Sequence, residues 1–325
     1  MNIFDDHSIF LYCIRRTRFQ FRRGFFRMTN GDFNSAVVFG AGGGFGRFFS
    51  QRLSSAVKNI ARIDISPSPG CLAGDAVNPQ GEDINAALKS ADLVLLCLPE
   101  DQAKRALLNL YNSLKPSCLL VITCSVMSDF SQITQAAKPN GRALPDVLLI
   151  NPLFAPDLDP SGRSLAAAAA GDGAGQKAFL RLIESWGLLL VKTDPDSHDQ
   201  LTALYQVSVH AAVIAVALAW SKSNIRPEST FAPPPARAIK LLAARILSGQ
   251  PSTYWAIQRE NPHAKGARNS LMEALKEVDA IFSGEALENF EGVREVCGAL
   301  FDGDIHEQAE ACAEMFRAIP NPRSQ

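Results

Sequence analysis

No Cys-x-x-Cys pair and no His/Cys spacing of the metal-ligating kind occurs in this 325-residue sequence, whose seven cysteines are scattered and odd in number. That excludes a disulfide frame and a zinc site, and it reads as reduced core thiols of a cytoplasmic protein. Charge of one sign is lacking too: 32 Lys and Arg stand against 33 Asp and Glu, a net of −1. Neither nucleic acid nor an anionic membrane is expected as a partner. A bilayer-length apolar run is also missing, because Val207–Trp220, apolar nearly all round, is short and interrupted against the roughly 20 residues a span needs. This stretch is expected to be buried in protein. A helix apolar on every side, in a small helical domain, often has a second subunit over part of it, so a homodimer is expected.

What is present is apolar content, 47%, enough for two cores, and a glycine-rich turn, Val37-Val-Phe-Gly-Ala-Gly-Gly-Gly-Phe-Gly46. A buried strand there runs into a bend without large side chains and then into a helix starting near Phe45. Such a bend lets the backbone approach a pyrophosphate, and the helix N-terminus attracts the anion. The G-x-G-x-x-G spacing is met only approximately, in either of two frames. One ends at Gly46 with Ala41 and Gly43 in the first two places; the other takes Gly40 and Gly42 as the first pair, with one extra residue before Gly46. The next strand, Ile60–Asp64, ends in a carboxylate about twenty residues on, placed to grip a ribose and to repel a 2′-phosphate. NAD is the cofactor expected. The run Ala91–Pro99 is continuous and apolar, as in a parallel strand buried on both faces, and Leu98 and Pro99 end it where a cofactor would lie.

Residues 1–32 differ from the rest, with Phe4, Phe10, Phe19, Phe21, Phe25 and Phe26 among Arg15, Arg16, Arg18, Arg22, Arg23 and Arg27. They read either as an amphipathic address segment or as a dispensable, disordered extension with Met28 as an alternative start. From 33 to 194 apolar strands alternate with helices, the pattern of an α/β Rossmann domain with a doubly wound parallel sheet. Residues 67–78 read as loop, Gly81–Ser90 and Glu100–Leu114 as helices, Cys118–Ser125 and Val147–Ile150 as strands. Ala166–Ala170 reads as a small-residue strand or its flank, Lys177–Trp186 as a helix and Leu188–Val191 as the last strand.

Residues 195–325 read as an all-helical domain. Asp194-Pro-Asp-Ser-His-Asp199 announces its first helix with a cap-type residue, an early proline and first-turn carboxylates, and the helix is expected to run to about Ser221. Steps of four, three and four residues put Asp199, Ala203, Gln206 and His210 on one face. Arg237 and Arg245, two turns apart on a later helix, are expected to converge on carboxylates.

Over essentially everything from Val37 onward, these residues resemble the prephenate dehydrogenase family. The matching features are Ser125-Val126 after the fourth apolar strand, Pro152-Leu-Phe154 with Pro156-Asp157, His198-Asp199 with His210 downstream, and the run from Arg237 to Arg245 followed by Gln250-Pro251 and Tyr254. The resemblance implies a helical domain that forms the dimer and oxidative decarboxylation of a cyclohexadienyl substrate with hydride passed to a nicotinamide cofactor. It assigns Asn151, Ser125 and His210 to the catalytic pocket and the ring carboxylate to Arg245, with Arg237 supporting it. The nucleotide is given to Gly40, Ala41, Gly42, Gly43, Gly46, Asp64, Leu98 and Pro99. No metal is implied.

The sequence departs from the family where the substrate's C4 substituent is handled. Asn151 stands where these enzymes carry a catalytic His, Met127 stands for a Lys, Ile122 for an Asp and Ala155 for a Gly. When the C4 group is a hydroxyl, oxidation leaves a protonated carbonyl unless a base takes the proton, a service typically worth 10²- to 10⁴-fold. Asn cannot serve as that base. An amine at C4 needs none, since its own lone pair drives the oxidation, and Asn151 still accepts an N–H hydrogen bond. Some members of the family convert 4-amino-4-deoxyprephenate to 4-aminophenylpyruvate, on the route to 4-aminophenylalanine, and this sequence resembles those. Two alternatives stand beside that reading: a prephenate or arogenate dehydrogenase with His198 or His210 as base, and an inactive nucleotide-sensing homologue.

Overall fold

Strand β1 (Ser35–Phe39) forms from an apolar, β-branched run buried along nearly its whole length, and helix α1 (Gly44–Leu53) leaves it through the glycine turn. The same step repeats through β2 (Asn59–Asp64), a two-residue edge strand β3 (Leu72–Ala73), α2 (Glu82–Ser90), β4 (Leu93–Leu96), α3 (Glu100–Leu110), β5 (Leu119–Thr123), α4 (Ser128–Ala136), β6 (Asp146–Pro152), β7 (Ser164–Ala169), α5 (Ala174–Ser185) and β8 (Leu189–Lys192). The chain continues through α6 (Pro195–Thr202), a π turn at Ala203–Val207, α7 (Ser208–Lys222), a 3₁₀ turn at Ser229–Phe231, α8 (Pro234–Ser248), α9 (Pro251–Arg259), α10 (Ala264–Ser283), α11 (Leu287–Gly298), a second 3₁₀ turn and α12 (Ile305–Ala318). This computed structural model describes residues 33–66, 68–111, 113–136, 145–169, 171–225, 229–284, 286–301 and 305–320. The basic, aromatic stretch at 1–32 lies outside the described residues.

The eight strands form one sheet in the order β3-β2-β1-β4-β5-β6-β7-β8. Every pairing is parallel except β6 with β7, where Asn151 lies opposite Ala166. Two apolar layers cover its faces. Phe49, Leu53, Phe179 and Ile183 of α1 and α5 pack one side, while Ile84, Leu107 and Phe130 of α2, α3 and α4 pack the other. This is the doubly wound α/β arrangement, with helices on both faces of a sheet whose middle strands are buried throughout.

Three expectations need correction, and one helix was not expected. The sheet is not parallel throughout, since β7 returns antiparallel to β6. Residues 67–78 contain the edge strand β3, too short to leave a periodic signal. Helix α4 escaped the sequence reading because its first turn is capped from far away: Met127 N–H and Ser128 N–H both donate to the Asp199 carboxylate, each at 2.9 Å. The cysteines are not all core thiols, for Cys118 and Cys124 are buried but Cys297 is exposed.

In the helical part, Asp194 caps α6 by accepting from Ser197 N–H at 3.0 Å, and Pro195 occupies the first turn. The helical run Pro195–Lys222 is 28 residues long with a window of mean hydropathy 1.8, so by length and composition alone it would cross a bilayer. The expected shortness concerned Val207–Trp220 alone, and the helical run that contains it is longer. It is also poorly covered within one chain, where α7 buries only Val213. Its neighbours add small apolar clusters, Ala203, Val207, Ile257 and Ala264 in one, Val213, Ala243 and Ile246 in the other.

Candidate active site

The glycine turn sits where β1 and β4 open at their carboxyl ends. Gly40 takes φ +73°, and a Cβ there would lie 2.1 Å from the Cys97 carbonyl oxygen and 3.1 Å from the Leu98 side chain. A Cβ on Gly46 would lie 1.9 Å from the Gly40 oxygen, and one on Gly44 would lie 2.5 Å from Pro156. The structure thus gives the tight turn to Gly40 and the close helix-to-strand approach to Gly46, which resolves the two frames as the longer one. Ala41 is buried beneath the loop, and Gly43 is the exposed N-cap of α1 with no side chain over it. Arg47 donates to the Gly42 carbonyl from the first turn of the same helix.

Asp64, at the end of β2, accepts from Gly42 N–H at 2.8 Å through Oδ2 and from Ser66 N–H at 2.9 Å through Oδ1. A carboxylate is therefore fixed beside the loop, where a dinucleotide's ribose would lie. Exposed Pro99 caps α3 and half-buried Leu98 packs on Gly40, so the end of β4 borders the same crevice. The cradle fits a dinucleotide: a turn that excludes side chains, a helix N-terminus whose N-cap Gly43 is exposed, and a carboxylate at the second strand.

Across the sheet the pairing of β5 with β6 brings Cys124 N–H to the Ile150 carbonyl at 2.9 Å, setting Ser125 and Asn151 at neighbouring strand ends. Asn151 is 5% exposed, and its Nδ2 lies 3.1 Å from Nε2 of His198, itself 3% exposed. His198 Nδ1 lies 2.8 Å from Asp199 Oδ1. Burial opposes the charge on Asp199, yet hydrogen bonds from His198, Ser128 and Met127 outweigh it and hold the carboxyl below the usual range. Asn261 completes the knot, its Nδ2 donating to the Asp199 carbonyl at 2.8 Å and lying 3.1 Å from Thr202 Oγ1. Met127 and Ile122, two of the departures from the family pattern, belong to the buried layer on this side of the sheet.

The straight polar stripe expected on the first long helix is broken. The π turn at Ala203–Val207 inserts a residue between Asp199 and His210, so regular α spacing does not carry the face through. Asp199 turns to the start of α4, while Gln206 Oε1 and His210 Nδ1 are buried with no hydrogen-bond partner. Burial lowers the His210 imidazole below its ordinary range, and its ring meets Tyr254 edge-on at 5.1 Å. The two arginines of α8 do not share a partner. Arg237 donates to the Pro320 carbonyl at 3.4 Å and keeps a buried, unpaired Nε, whereas Arg245 reaches Asp157 at 3.9 Å, beside the proline that covers Gly44.

Glu100 went unnoticed in the sequence. It opens α3, and its Oε1 accepts from Ser125 N–H at 2.5 Å and Val126 N–H at 3.2 Å, while Oε2 is buried without a partner. Burial pushes its carboxyl up to about 7, with the Ser125 N–H and the Lys104 charge pulling the other way. Lys104 binds Asp129 at 2.6 Å and Glu260 at 2.7 Å, joining α3, α4 and the end of α9. The only advance signal was a Glu straight after a strand-ending proline. Among the described residues no group of three His, Cys, Asp or Glu is disposed to hold a metal ion.

An α/β sheet with a glycine turn fit for a phosphate, joined to a buried polar cluster at the ends of β5 and β6, has the make-up of a nucleotide-dependent enzyme, and the comparisons with known proteins say of which class. The dimerization domain of prephenate dehydrogenase matches residues 194–294, a span that takes in the apolar run Pro195–Lys222. A 4-amino-4-deoxyprephenate dehydrogenase of Streptomyces pristinaespiralis is 34% identical over 88% of this chain and 98% of its own. Among solved structures, a prephenate dehydrogenase of Aquifex aeolicus, in complex with hydroxyphenyl propionate and NAD⁺, superposes with a TM-score of 0.66 at 18% identity, covering 83% of this chain and 98% of that one. A Synechocystis arogenate dehydrogenase gives 0.59 at 16% identity, covering 82% and 99%. The chain belongs to the prephenate dehydrogenase family.

Proposed function

We propose that the chain is an NAD-dependent dehydrogenase that converts 4-amino-4-deoxyprephenate to 4-aminophenylpyruvate and carbon dioxide, working as a cytoplasmic homodimer on a route to 4-aminophenylalanine of the kind used in antibiotic biosynthesis. The observation that carries this reading is Asn151, buried against His198 where the family has a catalytic His. The Streptomyces relative supports it, being itself a 4-amino-4-deoxyprephenate dehydrogenase. The fixed Asp64 carboxylate favours a free ribose over a 2′-phosphate, and the Aquifex relative was solved with NAD⁺. Bound in the cradle, the nicotinamide supplies a hydride acceptor.

The chain's own residues bind and orient. Arg245, with Arg237 behind it, holds the ring carboxylate; Ser125 and His210 line the pocket; Asn151 accepts an N–H from the C4 substituent. The nitrogen lone pair of that substituent forms the iminium as C4 is oxidised, and loss of carbon dioxide returns the electrons to nitrogen and makes the ring aromatic. No residue has to remove a proton from the C4 group at the oxidation step. Residues 33–194 act as the nucleotide domain and 195–325 as the substrate and dimer domain, with the exposed apolar faces of α7, α8 and α10 meeting a second copy.

A prephenate or arogenate dehydrogenase would need a base. His198 Nε2 is already engaged by Asn151, so that reading rests on His210, whose Nδ1 is unpaired. Purified protein incubated with each substrate and NAD, read by the absorbance of the reduced cofactor, tests the proposal. Tight NAD binding with no turnover of any cyclohexadienyl substrate would instead make the chain a nucleotide sensor.

A further inference from the structure

We propose that His198 is a positioning residue that locks the Asn151 amide in one of its two orientations, Nδ2 toward the imidazole and Oδ1 toward the substrate. The inference rests on the reading of Asn151 as a substrate-facing residue. An Asn side chain fits its space equally well either way round, so only its hydrogen-bond partners decide between donor and acceptor. Here the decision starts at the backbone. Met127 N–H and Ser128 N–H, each 2.9 Å away, fix the two oxygens of Asp199, which is fully buried and held in its ionised form.

An ionised carboxylate only accepts, so Nδ1 of His198, 2.8 Å from Oδ1, carries the hydrogen. A neutral imidazole with that tautomer has a lone pair, and no proton, at Nε2. Asn151 lies 3.1 Å from it and must present its N–H. The reverse orientation would set Oδ1 against the lone pair in a site where burial magnifies the penalty. Among the described residues His198 is the only side chain bonded to this amide, so Oδ1 is left for a ligand.

The C4 substituent then meets an acceptor, to which an amine donates an N–H and a hydroxyl its O–H, so the contact orients the ring for either. His198 also contributes orientation and not proton transfer, since its Nε2 lone pair is occupied. Thr202 Oγ1, donating back to the His198 carbonyl at 3.1 Å, helps hold the turn that presents the ring.

The test is a double-mutant cycle with a direct look at the tautomer. His198→Leu and Asn151→Ala should each lower kcat/KM about tenfold, and the double variant should be no worse than either, with the NAD affinity of His198→Leu close to that of the unmutated protein. His198→Gln, whose Oε1 reproduces the acceptor, should recover most of the loss. Losses that multiply in the double variant, or a Gln variant as poor as Leu, would overturn the proposal. Should His198→Leu not fold, ¹⁵N NMR of the imidazoles in the unmutated protein, with His198 assigned from the Gln variant, decides alone: Nδ1–H is expected, and Nε2–H contradicts it. If the unmutated enzyme prefers prephenate, the substrate reading falls, while the cycle run on prephenate still judges the role of His198.

Discussion

Asp64 and Arg245 are single side chains whose removal should move different constants. With Oδ2 fixed at 2.8 Å from the Gly42 amide, the Asp64 carboxylate stands where a ribose would be held and a 2′-phosphate repelled. Asp64→Ala should therefore narrow the preference for NAD over NADP, and equal use of both cofactors by the unmutated protein would contradict that role. Arg245 is more than half exposed and, among the described residues, has only a long contact with Asp157, so its guanidinium is available to a carboxylate. Losing such a charge-assisted contact costs on the order of 2–4 kcal/mol, so Arg245→Ala should raise KM steeply and leave NAD affinity alone. A KM within about twofold of the original would remove Arg245 from the site. These two positions, like Asn151, were legible in the sequence because each is a departure from or a match to a local motif. His198's hold on Asn151 was not, since it joins residues 47 apart in the chain.

Among the elements, α3 carries a pH dependence. The Glu100 carboxyl has its pKa raised from 4.5 to about 7, chiefly by burial. The folded state binds the proton more tightly than the unfolded chain does, so Glu100 lowers stability progressively as pH rises from about 4.5 to 7 and by a constant amount above that. Glu100→Gln, which keeps the acceptor for Ser125 and Val126, should raise stability above pH 7 by on the order of 2–3 kcal/mol and change little near pH 4.5. Melting curves at the two pH values check this, and an equal shift at both would show that the carboxyl charge is not the cause. The middle strands of the sheet were readable because burial on both faces demands continuous apolar runs. Helix α4 and the π turn were not, because one is capped by Asp199 from 71 residues away and the other breaks a spacing that sequence alone treats as regular.

For the whole molecule, the uncovered apolar surface is concentrated in the helices. Leu218 on α7, Leu247 on α8 at 68% exposure and Phe282 on α10 at 66% stay largely exposed, although the Phe282 ring lies 5.4 Å from that of Phe290. Two copies meeting there would bury such faces on the scale of obligate dimers, roughly 2,000 Å² or more. Light scattering should give twice the 35.1 kDa chain mass, and Leu218→Glu should shift the protein toward the single chain; a monomeric unmutated protein would refute the arrangement. The alternation of strands and helices announced the sheet half early, whereas the helices of the second half, whose apolar faces stay largely exposed within one chain, were legible as helices but not in their packing. The central claim, that Asn151 marks an enzyme for an amine at C4, is tested most directly by kcat/KM of the unmutated protein on 4-amino-4-deoxyprephenate and on prephenate with NAD. The amino substrate should be strongly preferred, and its activity should survive Asn151→Ala with a loss of only about 0.5–1.5 kcal/mol, the worth of one neutral hydrogen bond. A clear preference for prephenate would contradict the account and turn the search for a base to His210.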